Sequence, residues 1–203
     1  HHGIGRRQRQ MCIRDRQRQI RTGDWGVIAA DLHPDGRRLL LAHSDGVLQV
    51  WDRVSGKQLT SVRPGVWVDE SRRHRHVIET GDETYVTSVT WIGDSDRFVT
   101  AGADGRVTLF DANNATELNA WTTSGSVWAL DATFDGSEVL LGCENGELFR
   151  IRIETGVLQR LDVMPDAVSV ITRAEMKGSW LLGCVDGRIY ELKDRGQNPV
   201  LIT

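Results

Sequence analysis

The chain has 203 residues, 39% hydrophobic and 26% charged, with a formal net charge of −3, a composition ordinary for a soluble globular protein. No run approaches the roughly 18 to 20 apolar residues that cross a bilayer as a helix, and no charged start, apolar run and small-residue cleavage site marks a secretory signal. The three cysteines, Cys12, Cys143 and Cys184, form no CxxC pair and no disulfide framework, which fits a reducing, cytoplasmic setting.

Residues 1–21 hold seven arginines and one acid, Asp15. The remaining 22–203 hold 18 basic and 27 acidic residues, a net charge of −9. An acidic body repels phosphate backbones, so no nucleic-acid partner is expected for the folded part, and no membrane partner either. The Arg/Gln-rich start has apolar residues at no helical or strand period, and is expected to be a disordered or artefactual extension. Within it, MCIRDR (Met11 to Arg16) resembles translated sequencing-adapter read-through. A basic arm for nucleic acid or an anionic membrane is the competing reading.

From residue 22 onward the chain repeats itself. VIAADLHPDGRRLLLAHSDGVLQVWD opens at Val27, VTSVTWIGDSDRFVTAGADGRVTLFD at Val86, VWALDATFDGSEVLLGCENGELFRIR at Val127 and VSVITRAEMKGSWLLGCVDGRIYELK at Val168. In each copy the valine stands 18 residues before a turn dipeptide: Asp45-Gly46, Asp104-Gly105, Asn145-Gly146 and Asp186-Gly187. A large apolar residue follows six positions after the Asp or Asn: Trp51, Phe110, Ile151 and Leu192. The copies are offset by 59, 41 and 41 residues. Each opens with an apolar period-two stretch, turns as at Pro34-Asp35-Gly36, and continues into an apolar run such as Leu39-Leu40-Leu41. The Asp-Gly or Asn-Gly pair predicts a two-residue hairpin with positive φ angles. A third, alternating strand places Val47, Gln49 and Trp51 on one side and Leu48 and Val50 on the other. A fourth strand follows a Ser-Gly or Thr-Gly turn at 55–56 and 155–156. Four strands per unit of about 41 residues describe a propeller blade.

DGVLQVWD (45–52) resembles the closing signature of a WD40 repeat, and DGRVTLFD (104–111) is a close variant. The resemblance covers residues 23–203 and implies an all-β, WD40-type β-propeller of about four four-stranded blades. The blades are expected at about 23–62, 83–121, 124–161 and 165–203, with an inserted loop at about 63–82. Asp52 and Asp111 keep the family's terminal acid, whereas Arg152 and Lys193 replace it. The Gly-His pair before the first strand is missing, so the family's buried Asp–His–Ser/Thr–Trp network is not expected to be complete in any blade. Propellers close with four to eight blades, so an incomplete ring is expected, and with it a region of a longer chain, exposed apolar end faces and self-association.

In such a blade the turn dipeptides and the connections between blades emerge at one end. The insertion joins them there, carrying Trp67 and the cationic run Arg72, Arg73, His74, Arg75 and His76. These residues form a candidate recognition loop for an acidic or phosphorylated protein or peptide, because arginines pair bidentately with such groups. A solvated loop is the plainer reading of the same residues. His74 and His76 stand beside no carboxylate or thiolate ligand set, so no metal is expected. Cys143 and Cys184 occupy equivalent positions and are expected to be small packing residues. The turn aspartates are expected to cap their own backbone, and Trp51, Trp91, Trp128 and Trp180 to pack in the core or between blades.

No nucleophile elbow, phosphate-binding glycine loop or metalloprotease motif is present. The expected function is therefore a non-catalytic scaffold without cofactor, binding proteins or peptides alongside further blades or domains of a parent chain. The regulatory WD40 region of a larger enzyme, such as a bacterial protein kinase, is the alternative. A second alternative comes from D-R-V-S-G-K-Q-L (52–59), which resembles the start of the tryptophan-docking motif of quinoprotein dehydrogenases. Thr60 stands where that family has its closing tryptophan.

Overall fold

A computed structural model describes residues 22–63, 86–174, 179–193 and 199–202. The N-terminal extension and nearly all of the 63–82 insertion, with Trp67, Arg72, Arg73, His74, Arg75 and His76, lie outside the described residues.

All regular structure among the described residues is strand. Blade one comprises β1 (Val27–Leu32), β2 (Arg38–His43), β3 (Leu48–Asp52) and β4 (Lys57–Val62). Blade two comprises β5 (Val86–Trp91), β6 (Arg97–Gly102), β7 (Arg106–Asp111) and β8 (Glu117–Thr122). Blade three comprises β9 (Val127–Ala132), β10 (Glu138–Cys143), β11 (Glu147–Arg152) and β12 (Val157–Val163). Blade four comprises β13 (Val168–Arg173), β14 (Ser179–Cys184), β15 (Ile189–Lys193) and β16 (Val200–Leu201). Each blade is one antiparallel sheet with its strands in chain order.

Burial grades outward along each sheet. In blades two and three the second and third strands are largely apolar on both faces and mostly buried, as in β6, where five of six residues are buried, because a blade on either side covers them. The fourth strands are polar and mostly exposed, as in KQLTSV of β4. The first strands stand next to one another: β1 against β5, β5 against β9, β9 against β13. The blades thus follow chain order around a common axis, and the described blades do not close a ring.

Three apolar layers fill the junctions. Leu40, Ala42, Leu48 and Val50 of blade one meet Val86, Val89, Trp91, Phe98 and Phe110 of blade two. Val99, Val107 and Leu109 meet Val127, Leu130, Val139, Phe149 and Ile151. Leu140 and Leu148 meet Val168, Ile171, Trp180, Leu182 and Leu192. The residue six after each turn dipeptide is buried in all four blades, from 8% exposed at Trp51 to 0% at Ile151.

Two sequence expectations need correction. First, the Asp/Asn-Gly turns are not two-residue hairpins. The glycines alone have positive φ, from 78° at Gly105 to 84° at Gly187. The amide of Gly46 donates to His43 O at 2.9 Å, and that of His43 to Val47 O at 2.9 Å. This is a three-residue loop, a tight turn followed by a left-handed glycine, which needs only one positive φ. Secondly, Trp128 is not a core residue: it is 38% exposed. It is the extra residue of a β-bulge, since β9 pairs Val127 with Cys143 and Ala129 with Gly142, skipping 128. Blade one also holds a partly buried polar network distinct from the family's Asp–His–Ser/Thr–Trp set. Gln49 Oε1 accepts from Trp51 Nε1 at 2.8 Å and lies 3.0 Å from His43 Nε2.

Candidate recognition face

The turn dipeptides and the connections between blades do share one end of the molecule. The amide of Thr123, which follows β8, donates to Gly105 O at 2.9 Å, and that of Met164, after β12, to Gly146 O at 2.8 Å. On the other side of each turn, Ser44 N donates to Gly26 O at 2.8 Å and Val185 N to Ala167 O at 3.0 Å. The turn is therefore clamped between the segment that enters its own blade and the segment that leaves it, as in blade three, where Glu144 N donates to Ser126 O at 2.9 Å and Met164 N to Gly146 O at 2.8 Å.

The acidic turn residues serve their own backbone. Asp45, Asp104, Asn145 and Asp186 each accept, through Oδ1, the amide two residues on: Val47 at 3.2 Å, Arg106 at 2.9 Å, Glu147 at 3.1 Å and Arg188 at 2.9 Å. Their outer oxygens hold the arginines of this end, Asp45 pairing with Arg63 at 3.1 Å and Asp186 with Arg188 at 3.2 Å. Glu147 pairs with Arg160 at 3.0 Å and also accepts from Ser124 Oγ and Asn145 Nδ2.

What the turns frame is apolar. All four inner strands carry a bulge at their second residue: Ile28, Thr87, Trp128 and Ser169. A bulge re-aims the extra side chain out of the sheet. Ile28 is 43% exposed and Trp128 38% exposed, while Trp25, just before β1, is 58% exposed. Thr87 Oγ1 turns inward to donate to Val127 O, and Ser169 Oγ to Gly183 O at 3.2 Å. Sequence periodicity missed Ile28 and Trp128 because a bulge inserts one residue without altering composition, and Trp25 because it lies before the first strand. The one available signal was positional: each follows or precedes an opening valine at a fixed distance.

Halfway down the inner strands a row of polar side chains links neighbouring blades. Thr90 Oγ1 donates to Asp31 Oδ2 at 3.1 Å and lies 3.5 Å from Asp131 Oδ1. Asp131 is largely removed from water, and that burial, with Asp31 nearby, pushes its carboxyl above the ordinary value against the amides of Arg173 and Ala132.

The opposite end carries the other turns. There Arg38 spans blades one and two, bonding Asp35 Oδ2 at 2.8 Å and Asp96 Oδ1, with its guanidinium 5.2 Å from the Trp91 ring. Between blades three and four a cavity of about 430 Å³ is lined by Phe134, Glu138, Arg173 and Trp180, with Arg173 stacked 4.0 Å over Phe134.

Cys143 and Cys184 open two of the turns through their backbones, Cys143 O accepting from Gly146 N at 3.1 Å and Cys184 O from Gly187 N at 3.0 Å, while their thiols pack between blades. Cys143 lies in the layer between blades two and three and Cys184 in the layer between three and four. Desolvation pushes the Cys143 thiol up to about 11 and raises that of Cys184. Among the described residues no group of three or more His, Cys, Asp or Glu is placed to hold a metal ion.

Residues 17–52 and 73–111 match the family described as WD domain, G-beta repeat. The chain carries a WD40 repeat at each of these two positions. These WD40 repeats are similar to U3 small nucleolar RNA-associated protein 4 of Saccharomyces cerevisiae, 27% identical over 166 residues, 78% of this chain and 20% of that protein. They are also similar to the serine-threonine kinase receptor-associated protein of Homo sapiens, 30% identical over 105 residues, 47% of this chain and 25% of the relative. The WD40 chain thus spans a fifth to a quarter of the length of these relatives. Among solved structures, the computationally designed Ika4 protein superposes with a TM-score of 0.67 over 87% of this chain and 96% of its own, at 18% identity. That likeness is one of fold alone. Among the described residues of these repeats no helix is long and apolar enough to cross a membrane.

Proposed function

We propose that this WD40 chain is a non-catalytic docking module whose turn-bearing end receives a protein or peptide. The observation that carries the reading is the set of exposed apolar side chains, Trp25, Ile28 and Trp128, framed by turns whose polar groups are already occupied. Exposed aromatic anchors inside a polar rim are what peptide recognition uses. Rigid hydrogen-bonded turns hold those anchors without an ordering cost at binding.

The insertion enters at this same end, because it connects β4 to β5. Its sequence carries Trp67 and the run Arg72, Arg73, His74, Arg75 and His76, in which the arginines suit an acidic or phosphorylated group. The favoured ligand is therefore an acidic or phosphorylated segment carrying an apolar residue. Catalysis is not assigned to the module, a cytoplasmic location belongs to the same proposal, and further blades or domains of a parent chain remain among its partners.

A peptide array of acidic, phosphorylated and neutral sequences tests this. Acidic or phosphorylated peptides should be retained, and both Trp128→Ala and the triple replacement of Arg72, Arg73 and Arg75 by alanine should weaken that retention tenfold or more. Retention of no peptide class, or binding indifferent to both variants, overturns the reading.

A further inference from the structure

The end of the molecule away from the turn dipeptides is closed differently at each junction. At the first, Arg38 of β2 plugs the gap. Its guanidinium lies 5.2 Å from the Trp91 ring and pairs with two carboxylates, Asp35 at 2.8 Å and Asp96 of the next blade. At the second, the blades meet directly: a Cβ added at Gly93 would lie 2.9 Å from Phe134 O, and one at Gly136 2.9 Å from Ile92 Cγ2. Among the described residues the third junction has neither device, and the cavity of about 430 Å³ stands there.

The sequence accounts for the difference. Glu138 opens β10 where Arg38 opens β2. Its carboxylate turns back to its own blade, toward Arg150 Nε at 3.3 Å and Arg152 Nε at 3.5 Å. Asp135, the counterpart of Asp35, uses Oδ1 on the Ser137 amide and on the hydroxyls of Thr133 and Ser137. Both acids are thus engaged within blade three.

From the other side comes a cation. Arg173 ends β13 as Trp91 ends β5. Its guanidinium lies 4.0 Å over the Phe134 ring, and Nη1 donates to Ala132 O at 2.9 Å. Arg38 has two carboxylates within hydrogen-bond reach, whereas Arg173 has none among the described residues. Asp131 Oδ1 stands 3.9 Å away, and the Asp131 oxygens already accept the amides of Arg173 and Ala132.

A second guanidinium backs the wall. Arg150 shares its face of β11 with Leu148, in the layer between blades three and four. Its side chain is only 8% exposed, and Nη2 has no hydrogen-bond partner among the described residues. A buried donor left unpaired is uncommon and calls for an explanation. Three guanidinium groups, of Arg150, Arg152 and Arg173, thus stand around the two carboxylates that line the cavity, Asp135 and Glu138. Phe134 and Trp180 supply flat apolar walls.

We propose that this cavity binds an aromatic carboxylate, whose oxygens give Arg173 the pairing that Asp35 and Asp96 give Arg38, and whose ring packs against the apolar walls. The site lies at the end opposite the docking face and does not depend on it.

Benzoate, benzamide and benzamidine share one shape and differ in charge. Saturation-transfer NMR on the full chain should show benzoate binding with a Kd of about 1 mM or tighter. Benzamide should bind about tenfold more weakly, and benzamidine should not saturate. Arg173→Gln, and Phe134→Ala at a position 62% exposed, should each weaken benzoate about tenfold with an unchanged circular dichroism spectrum. Glu138→Gln should tighten it about threefold, because a like charge leaves the wall, whereas a merely structural defect would weaken it. N-acetylphenylalanine separates the sources of the carboxylate: tighter binding than benzoate assigns it to a peptide C-terminus, weaker binding to a free small acid. Benzoate that does not saturate, benzamidine that binds as well, indifference to both Arg173→Gln and Phe134→Ala, or weakening by Glu138→Gln would each overturn the inference.

Discussion

The carboxylate of Asp31, on the inner strand of blade one, accepts the backbone N–H of Trp91, on the inner strand of blade two, at 2.8 Å. Asp131 repeats the relation with the amide of Arg173 at 3.0 Å. An inner strand has a ladder partner on one side only, so a donor on its other edge needs a side chain or water. The preceding blade supplies it. Asp31→Ala leaves the Trp91 amide without that acceptor, and the cost of an orphaned buried donor is about 1–3 kcal/mol. Urea unfolding should show a loss in that range, whereas Glu154→Ala, at an exposed position in the turn after β11, should shift the midpoint little.

Glycine packing gives a sharper contrast. Gly142→Ala drives a methyl into Val168 and Ile171 at the third junction, and overpacking of a tight core costs about 1–3 kcal/mol. Gly183→Ala, at the equivalent place in blade four, meets only an ordinary contact within the chain. Thermal melts of the two variants at a concentration where the parent is monomeric should differ by several degrees.

The turn glycines differ in the same way. Gly146 and Gly187 share a left-handed φ, 80° and 84°, so alanine strains both. At Gly146, however, the added carbon would lie 2.4 Å from Met164 O, whereas around Gly187 nothing lies within 4 Å. Gly146→Ala should therefore unfold at lower denaturant than Gly187→Ala.

Asp52 predicts an acid response. Its carboxylate accepts the amides of Ser55 at 2.8 Å and Val54 at 2.9 Å, and Arg37 Nε at 2.7 Å. Chiefly the Ser55 amide, then Arg37, hold its pKa down from 3.8 to about 2. A depressed folded pKa contributes stability above the unfolded value that is lost as pH falls toward the folded one. Melting temperature should therefore drop between pH 3.8 and about 2, and Asp52→Asn should flatten that limb while lowering stability at neutral pH.

The repeat, its register and its strand content were legible because each depends on local chemistry: period-two apolar residues, a glycine where φ is positive, an acid to cap the turn. Trp51, Phe110, Ile151 and Leu192 lie in the core for that reason. Trp128 misled because a bulge is a pairing event between two strands, and the same residues read one position out of phase describe an unbroken strand. The exact turn geometry escaped for a related reason, since Asp-Gly suits both the two-residue hairpin and the three-residue loop.

From residues alone, then, came the blade and its number of copies, since hydrophobic spacing and turn chemistry act within about forty positions of chain. Which face of a blade meets which neighbour, the Asp31 link to Trp91, and the exposure of Trp25, Ile28 and Trp128 depended on tertiary structure. Those relations join positions some sixty residues apart, and only the stacking of one sheet on the next brings them within reach.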